Sequence, residues 1–323
     1  TDWLTRDLDH TGFDTLDELK ERIEEYWQHE ETPLTFETLR SRERMGIIQG
    51  DGCRHSPSRF IAKDVAGGSK GRPAGWSDTN WPVRQLVRLD RLTVLNIIDG
   101  FSRVSGTGDP QLIDDSNHRE LGEGEPYSIA MHNHGEGVFF DMKPEWLSEI
   151  AVQRLTRLGE QRGGMQHARD RFHQGMTRTI PALHDAPPHY MSAFTALHTL
   201  SHMLIKEFSA MSGFSLGSLA ERLYLEMDDE GTSVVNAGIL LYTSSPSSDG
   251  TLGGLVQQAA SIERVENLIQ RSLQSLLSCS NDPVCMDHVP SPGSENGAAC
   301  HACVLLPETA CEFGNAGLDR RWR

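Results

Sequence analysis

The chain alternates between stretches with clear apolar periodicity and stretches with almost none. "FDTLDELKERIEEYWQHE" places Phe13, Leu16, Leu19, Ile23 and Trp27 three and four residues apart. That spacing predicts an amphipathic helix, capped by Asp14 or Thr15, within a first fifty residues that read as helical. Residues 50–81 are rich in Gly, Ser, Pro and Asp and read as loop. The β-branched runs of "RLDRLTVLNIIDGFSRV" (Arg88–Val104) predict strand, and residues 105–126 a second loop. "SIAMHN" and "GVFFDM" then read as strands, with His132, His134 and Glu136 between them on an exposed polar tip.

Helical rhythm returns at Pro144 and runs to about Gly163, resuming after the glycine pair. "AFTALHTLSHMLIKEFSAMSG" predicts a helix ending at Gly213, and "GILLYTS" a short apolar strand. "LVQQAASIERVENLIQRSLQSLLS" reads as one continuous helix with Leu255, Ala259, Ile262, Ile269, Leu273, Leu276 and Leu277 on one face. The alternation predicts an α/β or α+β fold: a mixed sheet with packed helices and a C-terminal subdomain set apart by its cysteines. A boundary is expected near residue 120. It separates residues 1–120, helical and loop-rich with some strands, from residues 121–323.

Composition changes this picture in two places. The net charge is −16, which argues against a general electrostatic grip on nucleic acid. Half of the excess sits in residues 1–31, where eleven acids face three bases; this reads as a solvated helix face. Between Arg154 and Arg178 the sign inverts. Arg154, Arg157, Arg162, Arg169 and Arg171 form either a solvated surface or a strip facing DNA or a partner. No apolar run approaches the roughly 18 residues that span a bilayer, and the opening "TDWLTRDLDH" lacks a signal-peptide pattern, so a cytoplasmic protein is expected. The chain starts at Thr1 rather than Met, as a piece of a longer protein would.

Five of the six cysteines fall in the last forty-five residues, spaced C-x5-C-x14-C-x2-C-x7-C. Cys53 stands apart and reads as a small apolar residue. An odd number cannot all form disulfides, and a C-x2-C knuckle brings two thiolates onto one ion. The favoured ligands of one structural zinc are Cys279, Cys285, Cys300 and Cys303, with Cys311 as substitute for Cys279. His288 and His301 are weaker alternatives; an iron–sulfur cluster or unmetallated cysteines are competing readings. His198 and His202 share a helix face. They read as packed residues, hydrogen-bonded to the turn carrying Ser248, Asp249, Gly250, Gly253 and Gly254. That turn reads as a capped strand-to-helix connection or as an anion site at a helix N-terminus. A metal-dependent nuclease or hydrolase built on His198, His202 and Asp249 is the rival reading. No phosphate loop, nucleophile elbow or H-E-x2-H motif is present, so neither an ATPase nor a nuclease centre is assigned.

"GAACHACVLLPETACEFGNAGLDR", "LHTLSHMLIKEFSAMSGFSLGSLAERLY", "GILLYTSSPSSDGTLGGLV" and "CSNDPVC" resemble the DrmB family of the DISARM anti-phage system. They also resemble the zinc-binding C-terminal region of MrfA-type DNA-repair helicases. The resemblance covers about Ala193 to Arg320, with weaker matches back to about residue 88. It implies a non-catalytic subunit whose superfamily-2 helicase partner hydrolyses ATP while the pair engages phage DNA. The C-terminal part of a repair helicase is the other reading it allows.

Overall fold

The computed structural model describes residues 36–49, 60–64, 81–98, 102–104, 110–112, 119–121, 125–127, 129–161, 187–244, 254–288 and 296–321. The acidic segment 1–31, Cys53, the resumption after Gly163 and residues 162–186 lie outside them. The elements in order are α1 (Phe36–Gln49), β1 (Phe60–Asp64), β2 (Val83–Ile98), β3 (Ser102–Val104), β4 (Pro110–Leu112), β5 (Arg119–Leu121), β6 (Glu125–Tyr127) and β7 (Ile129–Met142). Then come α2 (Pro144–Gln161), α3 (Pro188–Ser212), β8 (Leu219–Met227), β9 (Val234–Thr243), α4 (Gly254–Gln258) and α5 (Ile262–Ser275). The mixed α/β class is as expected.

Five strands form one antiparallel sheet in the order β1-β2-β7-β9-β8. Strands β2 and β7 are neighbours in it, so the sheet runs across residue 120. Period-two alternation divides the side chains between its faces. Val138, Phe140, Met142, Ile239, Leu241 and Leu223 enter the large core under α2, α3 and α5. Phe139, Leu240, Tyr224, Val87 and Leu89 enter a smaller core closed by Ile47 of α1.

Several expectations need correction. Strand β1 lies inside the segment 50–81, and β4, β5 and β6 fall in or across 105–126, both read as loop, because antiparallel pairing gives their backbone groups partners. The segment holding His134 and Glu136 is strand rather than a loop tip, because both flanking apolar runs pair with β2 along one ladder. The long helix from Leu255 breaks at residues 259–261, where Ser261 adopts extended angles before α5 begins. Leu277, placed on the buried stripe, is 60% exposed because the helical turns end before it.

Helix α3 is the pivot of the fold. Proline occupies its first turn, where the missing N–H costs nothing, and Gly213 closes it at φ 78°, donating to the Ser209 carbonyl. Sixteen of its residues are buried. It packs against α2, α5, β8 and β9, and the cysteine-bearing tail folds over its remaining side. No described helix is long and apolar enough to cross a membrane.

Candidate metal centre

The tail after α5 contains little regular structure, so its shape rests on turns and side-chain bonds. Cys279 opens the first turn, with its amide donating to Asp282 Oδ2 (2.9 Å) and its Sγ accepting from the Asn281 amide (3.4 Å). Cys300 and Cys303 form the second. The Cys303 and Val304 amides donate to the Cys300 carbonyl, both at 3.0 Å, and the Cys300 amide donates to Cys303 Sγ (3.3 Å). Amides aimed at sulfur stabilise the thiolate form that binds metal.

The two turns face each other. Sulfur separations are 3.6 Å for Cys279–Cys300, 3.7 Å for Cys285–Cys303 and 3.6 Å for Cys300–Cys303. All four sulfurs lie within 4.8 Å of one another. A tetrahedral zinc with sulfur ligands at ~2.3 Å requires edges of about 3.8 Å, and a disulfide requires about 2.05 Å. The cluster therefore fits one zinc ion and no disulfide, and all four cysteines are free. Cys285 and Cys303 are buried and the other two half-buried.

Burial pushes the Cys285 thiol up to about 12 and the Cys303 thiol up as well. At Cys300 burial acts in the same direction. Hydrogen bonds from Cys279, the Ala302 amide and Cys303 outweigh it and lower that thiol to about 6. Four thiolates around a divalent ion leave two negative charges, and two cations are placed to meet them. The fully buried Arg320 donates to the Leu276 carbonyl (3.2 Å), pairs with Asp282 and faces Cys285. Lys206 of α3 donates to the Cys303 carbonyl and lies in the field of Cys303, Cys300 and Cys279. Neither cation carries a signal in the sequence, since nothing in chain spacing links them to the cysteines.

His288 and His301 are not in the cluster. His288 Nδ1 faces the Asn296 and Gly297 carbonyls, and His301 is exposed. Cys311 lies elsewhere, against α3. Its Sγ is 3.1 Å from His198 Nε2 and accepts from the Phe313 (3.3 Å) and Asn315 (3.1 Å) amides. His198 Nε2 and His202 Nε2 lie 3.0 and 3.3 Å from Glu221 Oε1. Burial lowers the His198 pKa. At Glu221 burial acts upward, but the charges and hydrogen bonds of His198 and His202 outweigh it and hold the carboxyl far below its usual range. The two histidines thus face β8 and the tail, where Glu221 and Cys311 converge on their side of α3; most of the turn after β9 lies outside the described residues.

That turn is described only at Gly254; Ser248, Asp249, Gly250 and Gly253 lie outside the described residues. Gly254 is required, since a Cβ there would meet the Phe214 ring at 2.9 Å. The buried Glu136 carboxylate accepts from the Leu255 amide (2.7 Å) and closes the start of α4. Of the arginine strip, Arg154 is turned inward to Asp319 (3.5 Å) and Arg157 is exposed and donates to the Arg321 carbonyl. Arg162, Arg169 and Arg171 lie outside the described residues.

Residues 200–304 match the MrfA Zn-binding domain. The match encloses Cys279, Cys285, Cys300 and Cys303 and stops before Cys311, the same division the geometry makes. A stretch of 128 residues is 44% identical to a protein described as DISARM protein DrmB from Bacillus paralicheniformis. It covers 39% of this chain and 21% of that protein, so the chain spans about a fifth of this relative's length.

Proposed function

We propose that this chain is the zinc-stapled portion of a DISARM component, working beside a superfamily-2 helicase on phage DNA. The 44% identity to the DrmB protein carries the reading; the match to the MrfA Zn-binding domain supports it over the residues that build the cysteine cluster. Zinc acts structurally here. All four ligand places belong to the protein, so none is left for a substrate. Its task is to pin the tail 279–321 onto α3 and α5, giving a fixed outer surface where the tail would otherwise be loose. ATP hydrolysis belongs to the partner, and the residues outside the C-terminal unit from about residue 121 supply further contacts.

A hydrolytic centre on His198 and His202 is not favoured, because both rings are fully buried. The test is co-purification of the protein carrying this chain with the superfamily-2 helicase of the same defence system. The pair is expected to copurify, and Cys300→Ser with Cys303→Ser is expected to abolish the complex. A soluble double variant that has lost the four-cysteine zinc and still binds the helicase would refute the role given to the tail.

A further inference from the structure

Cys311 is left out of the four-cysteine cluster, yet it does not pack as an inert thiol. Four donor atoms from three parts of the fold meet at one buried point: His198 and His202 from α3, Glu221 from β8 and Cys311 from the tail. All four residues are buried, both histidines fully, and their donor atoms lie within 4.8 Å of one another.

The hydrogen bonds around this point fix what the donors offer to it. His202 Nδ1 lies 3.0 Å from the Val304 carbonyl. A carbonyl only accepts, so Nδ1 carries a proton, and in the neutral ring Nε2 presents a bare lone pair. That lone pair makes no hydrogen bond and points at Glu221 Oε1, 3.3 Å away, which is itself an acceptor. Cys311 Sγ is the acceptor of two backbone amides. The turn delivering them needs left-handed angles at Gly314 (φ 58°) and Asn315 (φ 62°), the way a chain bends to wrap its amides around a thiolate. Glu221 Oε2 accepts from Ser201 Oγ, and Oε1, which also accepts from the Glu312 amide (3.3 Å), faces the shared point. Lone pairs and two potential anions thus converge where no solvent enters, which is costly unless a cation lies between them.

We propose that His198, His202, Glu221 and Cys311 form a second, closed metal site that holds a divalent transition ion, zinc by the softness of its donors. Two imidazoles, a carboxylate and a thiolate suit tetrahedral zinc, with ligand edges of about 3.3–3.6 Å. Of the observed separations, 3.3 Å lies at the short end of that range, and 3.0 and 3.1 Å lie slightly below it. The Val304 carbonyl on His202 Nδ1 and the Ser201 hydroxyl on Glu221 orient the ligands from behind, as metal sites require. With four protein ligands and no solvent path, the ion is a structural clamp. It ties β8 and the end of the tail to α3, as the four-cysteine site ties the tail's beginning to α5.

The experiment is metal analysis of the purified protein, combined with zinc K-edge X-ray absorption. Two zinc ions per chain are expected, with a shared shell of five sulfur and three nitrogen or oxygen ligands over the two clusters. Cys311→Ser and His202→Gln should each lower the content to one ion whose shell is sulfur alone. Cys300→Ser with Cys303→Ser should leave one ion in a shell dominated by nitrogen and oxygen, so the two sites fail separately. One zinc per wild-type chain, with a pure sulfur shell, would overturn the proposal and leave the cluster a protonated hydrogen-bond network. That readout needs no variant to fold.

Discussion

Arg320→Ala perturbs the four-cysteine centre without touching a ligand. The guanidinium is fully buried and serves three groups: the Leu276 carbonyl after α5, the Asp282 carboxylate and the Cys285 sulfur. Asp282 in turn accepts the Cys279 amide, so one side chain joins both halves of the first cysteine turn. Truncation leaves a carboxylate and a carbonyl poorly satisfied and one charge of the thiolate cluster unmet. Breaking a buried pair by removing one partner costs about 3–5 kcal/mol. At about 2–4 °C per kcal/mol for a domain of this size, the melting temperature should fall by roughly 10 °C. Removing a neighbour that orients ligands typically weakens metal binding by about 10–100-fold. The assay is thermal melting by circular dichroism, paired with zinc release to a chromogenic chelator. Arg320→Lys keeps the charge but loses the fork of donors, and should fall between wild type and Arg320→Ala. Unchanged melting and unchanged zinc release in Arg320→Ala would refute the reasoning.

Other predictions test the scaffold. Glu136→Ala removes the acceptor that closes α4 and should cost about 1.5–3 kcal/mol, seen as faster hydrogen exchange at Leu255. Gly135→Ala places a Cβ within 2.9 Å of the Thr243 backbone carbonyl and should cost about 1–3 kcal/mol by overpacking, measured by urea denaturation. Burial acts upward on the Asp319 carboxyl, but Arg154 and Arg321 outweigh it and hold its pKa down. A depressed carboxylate contributes stability above its unfolded pKa, near 3.9, and loses it as pH falls through the folded value. Asp319→Asn should therefore be destabilised at pH 7, and its gap to wild type should narrow as pH falls below about 4; a gap that stays constant would contradict this.

The parts legible in the sequence are those where one local signal sufficed. Gly213 ends α3 as its position implied, and the apolar run of β9 reads as strand because turn-forming residues bound it in the sequence. The cysteine spacing pointed to the four residues that converge, since a C-x2-C turn has little freedom in how it aims its sulfurs. What stayed hidden depends on long-range assembly. Strand β8 escaped because "LAERLYLEM" carries Glu221 inward, where a hydrophobic pattern expects no acid. With β8 unseen, His198 and His202 had no partner except the nearby turn. Arg154 looked like surface in an arginine-rich helix, and only the fold supplies Asp319. The break at residues 259–261 was masked by an apolar spacing that continues across it.

That Cys279, Cys285, Cys300 and Cys303 hold a zinc ion that folds the tail is tested most directly by zinc content and hydrogen exchange over residues 276–321, compared between wild type and Cys300→Ser with Cys303→Ser. The variant is expected to lose one zinc per chain, and amide protection should collapse around the cysteine turns while the β7–β9 ladder stays protected. A variant that keeps the wild-type zinc content and the protection of the tail would contradict the role given to these four residues.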